Sequence, residues 1–378
     1  MKKSVFSLIT SISLILSIDS YACTAFQLKS QQEDLIYCRS LEFGEHLESD
    51  LLIVARGTAY VGTAGKDKKG LEWRVKYGFV GMNQKDLRLQ VSDGMNEKGL
   101  VASCLYLPGF AQYQEIEEDK LDKTLGYWEL PAYILSTCST VQEIKTVLPT
   151  LIVGQQPTPN MDGKILPLHF YFSDRNGNVL IVEYVDGKCF QWNNSLGVLT
   201  NSPPFAWHLF NLSNYVNLSP TNVPSLKLPC VEITNVSQGS GLLGLPGDYT
   251  SPSRFVRAAL FSQWASVPKD AIDTVRLGFH ILNTFDIFDG IIRDTSDKSK
   301  MGGQIPVEHN TDITQWIIVH DRTNLKTYVR NYESLSIEML DLKKIDFAKV
   351  GVKSVSLKKD FQPRDITQNA KPLEVVEN

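Results

Sequence analysis

The stretch Ser20-Tyr21-Ala22-Cys23-Thr24-Ala25-Phe26-Gln27-Leu28, followed after a short polar connection by Leu35-Ile36-Tyr37-Cys38-Arg39-Ser40-Leu41-Glu42-Phe43, decides how this chain is read. Thr24–Leu28 and Leu35–Phe43 are apolar, β-branched and aromatic enough for strands, and the connection is short enough for a hairpin. Upstream, Lys2 and Lys3 precede an apolar run from Val5 to Ile18, and Ser20-Tyr21-Ala22 supplies small residues at a cleavage position. That is the three-part layout of a secretory signal peptide over residues 1–22. The run is shorter than the roughly 20 apolar residues of a membrane span. Ser20 stands where a lipoprotein signal usually carries Leu, so a cleaved leader is the expectation and an integral segment after cleavage is not.

Removing residues 1–22 from the 378 leaves 356 and, with Lys2, Lys3 and Asp19 gone, takes the net charge from −4 to −5. A mildly acidic chain of this size builds a proper core and has no electrostatic footprint for nucleic acid. A small molecule is the expected partner. Six cysteines, Cys23, Cys38, Cys104, Cys138, Cys189 and Cys230, are too sparse for a disulfide scaffold. Neither they nor the histidines His46, His169, His208, His280, His309 and His320 carry zinc-ligand spacings, so neither a metal nor a cofactor is expected. GxSxG is absent, which removes support for a serine hydrolase elbow.

Further strands are expected at Leu51–Val61, Trp73–Met82, Leu100–Leu107, His169–Ser173, Val179–Tyr184, Cys189–Trp192, Val198–Asn201, Gln315–His320 and Lys326–Tyr332. Asn176-Gly177 makes a hairpin turn and Ser92–Gly99 a second turn region. Helical periodicity appears over Gly126–Leu148, Pro252–Ser266 and Lys269–Thr284. Two antiparallel sheets covered by helices follow from this order. Asn211–Gly247, rich in Ser, Asn, Pro and Gly, reads as a surface excursion and not a linker.

Cleavage after Ala22 would give Cys23 both a thiol and a free α-amine, whose ordinary pKa of about 7.7–8.0 suits it to take the thiol proton. A buried or lipidated cysteine is the bland alternative. Arg39, in the strand pairing with the one that starts at Cys23, could hold a thiolate. Glu42 could fix the α-amine. Arg254 sits in the first turn of a helix that Thr250 or Ser251 caps with Pro252 behind it, where a cation opposes the helix dipole and asks for an anionic partner. Asn201 offers an amide donor for an oxyanion. Taken singly, the charged three are compatible with surface charges and Asn201 with a turn.

Jointly, Cys23-Thr24-Ala25-Phe26, Arg39-Ser40-Leu41-Glu42-Phe43, Asp93-Gly94-Met95-Asn96-Glu97-Lys98-Gly99-Leu100, Leu199-Thr200-Asn201-Ser202-Pro203, and Leu245-Pro246-Gly247-Asp248-Tyr249 running on to Ser253-Arg254-Phe255-Val256-Arg257 resemble the choloylglycine hydrolase family of bile salt hydrolases and penicillin V acylases, within the N-terminal nucleophile superfamily. The resemblance implies an α+β fold, the four-layer αββα sandwich, as one domain over 23–378 with an excursion at 202–245. It implies Cys23 as nucleophile and base, Arg39 and Arg254 stabilising its thiolate, Asn201 and the backbone N–H of Tyr106 as oxyanion donors, and Glu42 where an aspartate is common. It also implies a homotetramer assembled through the excursion, in which Leu209–Tyr215 matches closely. Tyr106 stands where penicillin V acylases tend to carry tyrosine, which points to an apolar acyl group, with Leu107, Pro108, Phe110 and Tyr113 around it. The leader implies a periplasmic or secreted enzyme. Two competing readings are a secreted β-sandwich binding protein without chemistry and a papain-like peptidase, which would need a histidine base.

Overall fold

The computed structural model describes residues 22–44, 46–66, 68–84, 89–159, 163–235, 237–292, 312–357 and 359–371. The expected leader, Ala22 apart, lies outside them. Cys23–Lys29 (β1) and Leu35–Phe43 (β2) form the expected hairpin, with Cys23 opposite Leu41 and Ala25 opposite Arg39. A five-stranded antiparallel sheet continues from β2 through Ile313–Asp321 and Lys326–Asn331 to Glu338–Asp341. The second sheet has eight strands, all antiparallel. Its order is Lys188–Asn193, Val179–Val185, Leu168–Ser173, Val101–Tyr106, Val91–Asn96, Phe79–Asn83, Leu51–Val54 and Val352–Val355.

Alternation within the eight-stranded sheet sets the layers. Val101, Leu105, Val80, Met82, Tyr171 and Ile181 point into a core shared with β1 and β2. Their neighbours Ala102, Cys104, Phe79, Phe170, Leu180 and Val182 point the other way. The outward set is covered by α1, Leu130–Thr137, and α2, Val141–Val147. After α3, Phe205–Asn211, come α4, Ser251–Trp264, and α5, Ala271–Leu282, which cover the far face of the five-stranded sheet. The result is the αββα sandwich. β2 is buried along nearly its whole length because it has a layer on each side.

Local rules fail where backbone groups have better partners. Ser92–Gly99 is not all turn: Val91–Asn96 is a strand, and only Glu97-Lys98-Gly99 turns, with Gly99 at φ +80°. Leu51–Val61 and Trp73–Met82 are each interrupted, the first at Arg56-Gly57, where Gly57 has φ +80°, and the second at Lys76-Tyr77, whose N–H groups both donate to Ser136 O. The helix expected over Gly126–Leu148 breaks after Thr137, because Thr140 caps a new one by accepting from the Glu143 N–H. Val198–Asn201 makes only one bridge, Leu199 to Ala25. The excursion holds α3 and a short exposed ribbon, Leu226–Leu228 against Val231–Ile233. Among the described residues no helix is long and apolar enough to cross a membrane.

Buried Val275, Phe279 and Leu282 seat α5 on the sheet, and Gly278 lets the two backbones approach: a Cβ there would lie 2.6 Å from the Cys38 Sγ. Gly278→Ala should therefore destabilise. The helix-propensity gain is about 1 kcal/mol, whereas overpacking costs about 1–3 kcal/mol. Thermal unfolding followed by circular dichroism should show a Tm lowered by a few degrees; an unchanged or raised Tm would mean that the contact is not tight.

Candidate functional site

β1 starts at Cys23, and the register with β2 puts the Cys23 and Arg39 side chains on one face, one diagonal step apart. That face looks across to the eight-stranded sheet. The Arg39 guanidinium crosses the gap with all four terminal N–H bonds in use: Nη1 donates to Ser92 O (2.6 Å) and Asp93 Oδ2 (3.2 Å), and Nη2 to Cys104 O (2.6 Å) and the Cys23 Sγ (3.6 Å). It also lies over the Trp316 ring, 5.2 Å from its centroid. Only Nε has no partner among the described residues.

The free edge of β1 is met by the 198–201 segment. Ala25 and Leu199 exchange both backbone hydrogen bonds, at 2.8 and 2.9 Å, which in an antiparallel register places Asn201 opposite Cys23. The Asn201 Oδ1 accepts from the Cys23 N–H at 2.7 Å and from Arg254 Nη2 at 2.7 Å, while its Nδ2 donates to Tyr106 O at 2.9 Å. An amide NH₂ has two N–H bonds, so one beyond the Tyr106 contact is left for another acceptor. Two buried histidines fix this segment from behind. His169 contacts Thr200 O (2.9 Å) and Glu183 (3.1 Å), and His208, stacked on Phe255, contacts Asn201 O (2.8 Å). Burial holds His208 down at about 4, so it is neutral and donates through Nε2.

Arg254 stands in the first turn of α4, but its partners are not on the helix axis. It donates through Nε to Tyr249 O (2.9 Å), through Nη1 to Thr24 Oγ1 (2.8 Å) and to the Cys23 carbonyl, and through Nη2 to Asn201. It grips the Cys23 backbone and Asn201, not the thiol. Thr250 is the residue before the helix but makes no side-chain cap; its hydroxyl goes to Asp248, and Ser251 Oγ accepts from the Asn201 N–H.

Glu42 sits opposite Ala22, its N–H bonded to Ala22 O. No hydrogen bond joins its carboxyl to the Cys23 nitrogen: Oε1 accepts a long contact from Thr314 (3.4 Å), and Oε2 has no partner among the described residues. Tyr106 ends its strand half-buried and meets Phe43 edge-on, ring centroids 6.5 Å apart. Of the apolar neighbours expected to line a pocket, Leu107 and Tyr113 are core residues, Tyr113 stacked on Tyr127, so they do not. Phe110 is exposed.

Burial pushes the Cys23 thiol up, Arg39 pulls it down and Glu42 pushes it up again; the net effect is upward. Arg39 thus acts in the expected direction, but with Ala22 attached it does not make a thiolate. Burial likewise pushes the Glu42 carboxyl up to about 8 against the pull of Arg254. All six cysteines are unpaired thiols. Among the described residues no group of three or more His, Cys, Asp or Glu could hold a metal, and His309 lies outside them. The sequence reading missed Asp93, Tyr37, Ser103, His320 and His208 as parts of this site. The available signal was a histidine closing the apolar run Trp316-Ile317-Ile318-Val319-His320; Asp93 stood in a segment with the composition of a turn.

A family model described as linear amide C–N hydrolases, choloylglycine hydrolase family, matches residues 23–354. A bile salt hydrolase/transferase of Clostridium perfringens is 32% identical over 326 residues, 85% of this chain and 93% of that one. A penicillin V acylase of Pectobacterium atrosepticum is 28% identical over 97% of this chain and 93% of its own. Among solved structures, a conjugated bile acid hydrolase of C. perfringens superposes with TM-score 0.78 at 28% identity, over 91% of this chain and all of that one. It was solved in cysteine-to-alanine and arginine-to-leucine variants whose replaced positions are 16 residues apart. A penicillin V acylase from Agrobacterium tumefaciens, TM-score 0.69 at 23% identity over 89% of this chain and 92% of its own, shares the fold.

The Glu42 carboxyl yields a test with a defined sign. Its folded pKa is about 8 against an ordinary 4.5, so folding takes up a proton between those values. The buried carboxyl therefore costs stability increasingly as pH rises from 4.5 to 8 and no more above it. In protein that retains Ala22, Glu42→Gln should have the same Tm as the parent near pH 4.5 and a higher one at pH 8. A difference independent of pH would show that Glu42 is ionised in the fold throughout.

Proposed function

Because the chain belongs to the choloylglycine hydrolase family of linear amide C–N hydrolases, we propose that it cleaves its amide with the thiol of Cys23, freed as the N-terminal residue by removal of residues 1–22, through a thioester acyl-enzyme. The observation that carries this reading is the convergence on one residue: Arg39 reaches the Cys23 thiol, Asn201 its nitrogen and Arg254 its carbonyl. The family match begins at Cys23, and Cys23 and Arg39 have the same 16-residue separation as the replaced cysteine and arginine of the C. perfringens enzyme.

The α-amine of Cys23 takes the thiol proton and Sγ attacks the amide carbonyl. The oxyanion is received by the spare N–H of Asn201 and by the backbone N–H of Tyr106, whose carbonyl already bonds Asn201. Asn201 Oδ1 orients the α-amine, which returns the proton to the leaving amine. Water, activated by the same amine, attacks the thioester, and the carboxylic acid leaves. Glu42 lies opposite the residue to be removed, so its carboxylate is the counter-charge for the new α-ammonium. The leader directs the enzyme to the periplasm or outside the cell. A small-molecule amide with an apolar acyl group fits the Phe43–Tyr106 pair near the thiol. The excursion exposes Phe210, Val216 and Leu243, which suits burial against other copies in a homotetramer.

N-terminal sequencing and intact mass of the exported protein should give Cys23 as first residue; another start, or a lipidated cysteine, overturns the mechanism. Cys23→Ala should abolish hydrolysis, and Asn201→Ala should lower kcat by about 10²–10³ with circular dichroism unchanged. If the folded wild type alkylates at Cys23 but hydrolyses no amide among penicillin V, glycocholate and long-chain N-acyl homoserine lactones, a binding protein is the better description. Among those three, kcat/KM is expected to favour penicillin V or the lactone, and a preference for glycocholate would show that Tyr106 does not set the choice.

A further inference from the structure

Asp93 lies at the middle of the Val91–Asn96 strand with its carboxylate wholly enclosed between the two sheets. A carboxylate in such a place is tolerated only when it is paired and hydrogen-bonded. Here Oδ1 accepts from His320 Nε2 at 2.8 Å, and Oδ2 from Tyr37 Oη at 3.0 Å, Ser103 Oγ at 2.5 Å and Arg39 Nη1 at 3.2 Å. His320 is in turn fixed by Thr327 Oγ1 at 2.9 Å and lies nearly parallel to the Tyr37 ring. Tyr37, Arg39 and His320 come from the five-stranded sheet, whereas Asp93 and Ser103 come from the eight-stranded one.

We propose that Asp93 is a positioning residue for the nucleophile: it holds the Arg39 guanidinium in the one orientation from which Nη2 meets the Cys23 Sγ. The proposal rests on the reading of Cys23 as nucleophile. Of the partners of the Arg39 terminal nitrogens, Ser92 O and Cys104 O are neutral carbonyls, and Asp93 is the only fixed anion. It bonds Nη1, so it acts on the side of the fork opposite the thiol contact and sets the plane of the group. Burial works against its charge, yet the hydrogen bond and charge of His320, then Arg39 and Ser103, keep it below its ordinary range.

Two possible roles of Asp93 predict opposite signs. Besides Arg39, the groups acting on the thiol are Glu42 from β2, Arg254 from α4 and Cys104 from the facing strand. If Asp93 acts only as a nearby negative charge, removing that charge lowers the thiol pKa. If it positions Arg39, removing it frees the cation to leave Sγ, and the thiol pKa rises. In Asp93→Asn one carboxylate oxygen becomes an NH₂ facing other donors, which should turn the fork. The readout is the pH dependence of Cys23 alkylation by iodoacetamide in the purified protein, followed by mass spectrometry of the Cys23 peptide, with kcat and KM alongside.

The expected result is a thiol pKa raised by about one unit, a roughly tenfold slower alkylation below it, and kcat reduced at nearly constant KM. An unchanged or lowered thiol pKa in folded protein overturns the proposal. Should Asp93→Asn not fold, His320→Phe keeps the carboxylate and a ring beside Tyr37 but removes the donor that fixes Oδ1; a smaller rise of the same sign supports the proposal, and no rise overturns it. Alkylation needs no turnover, so a failure of the nucleophile reading, seen as wild-type protein without amide hydrolysis, remains separate from a failure of this one.

Discussion

A cation buried between two sheets is the constraint around which this molecule is arranged. The guanidinium of Arg39 starts on β2 and ends on the backbone of the facing sheet, at Ser92 O and Cys104 O. Packed sheets stand about 10 Å apart, a distance that an arginine spans and a shorter side chain does not. Desolvating the charge is costly by several kcal/mol, and the offset comes from two carbonyls, the Trp316 ring and Asp93. Such an ion pair is weak evidence for stability, since well-packed apolar residues of similar volume often serve a core as well. Its presence here is better explained by what it does to the neighbouring sulfur.

Register supplies the second half of the site. β1 is read from both sides: β2 sets Ala25 opposite Arg39, and the 198–201 segment sets Ala25 opposite Leu199. Two residues up the strand, those pairings place Asn201 across from Cys23 and Arg39 diagonal to it. A slip of one residue on either side would turn the thiol to the helix layer and the Asn201 amide away from it. Arg254 then ties the two together from α4, and His169 and His208 hold the carbonyls of Thr200 and Asn201. Positions far apart in the chain, 178 residues for Cys23 and Asn201, meet because the two backbone pairings of β1 are in phase.

What the sequence made legible follows from how local each signal is. The β1–β2 hairpin, the helix expected from Pro252, which starts one residue earlier at Ser251, and the layer class rest on short-range patterns, and these agree with the structure. Asp93-Gly94 has the local look of a turn, and only partners 56 and 227 residues away, Tyr37 and His320, show why an aspartate belongs in a strand there. Leu107 and Tyr113 misled in the opposite direction: apolar residues beside a site residue look like a pocket wall, but alternation and the stack on Tyr127 send Tyr113 into the core. Glu42 was placed correctly in the strand. Its lack of a bond to the Cys23 nitrogen could not be read, because Asn201 occupies that position.

The electrostatics of the chain with Ala22 attached bear on how the proposed nucleophile is kept quiet. Burial and Glu42 together outweigh Arg39, so the thiol stays protonated, and the Cys23 nitrogen is an amide that donates to Asn201 and has no basicity. Removing Ala22 changes two things at once on this reading: the nitrogen becomes an amine able to take the thiol proton, and the Glu42 carboxyl acquires a cation beside it, which favours the ionised form. The scaffold needs no rearrangement for this, because Asn201 Oδ1 accepts from an amine as it does from an amide. On the proposed reading, a prebuilt site that lacks only its base becomes nucleophilic in the shortened chain and stays quiet in the longer one.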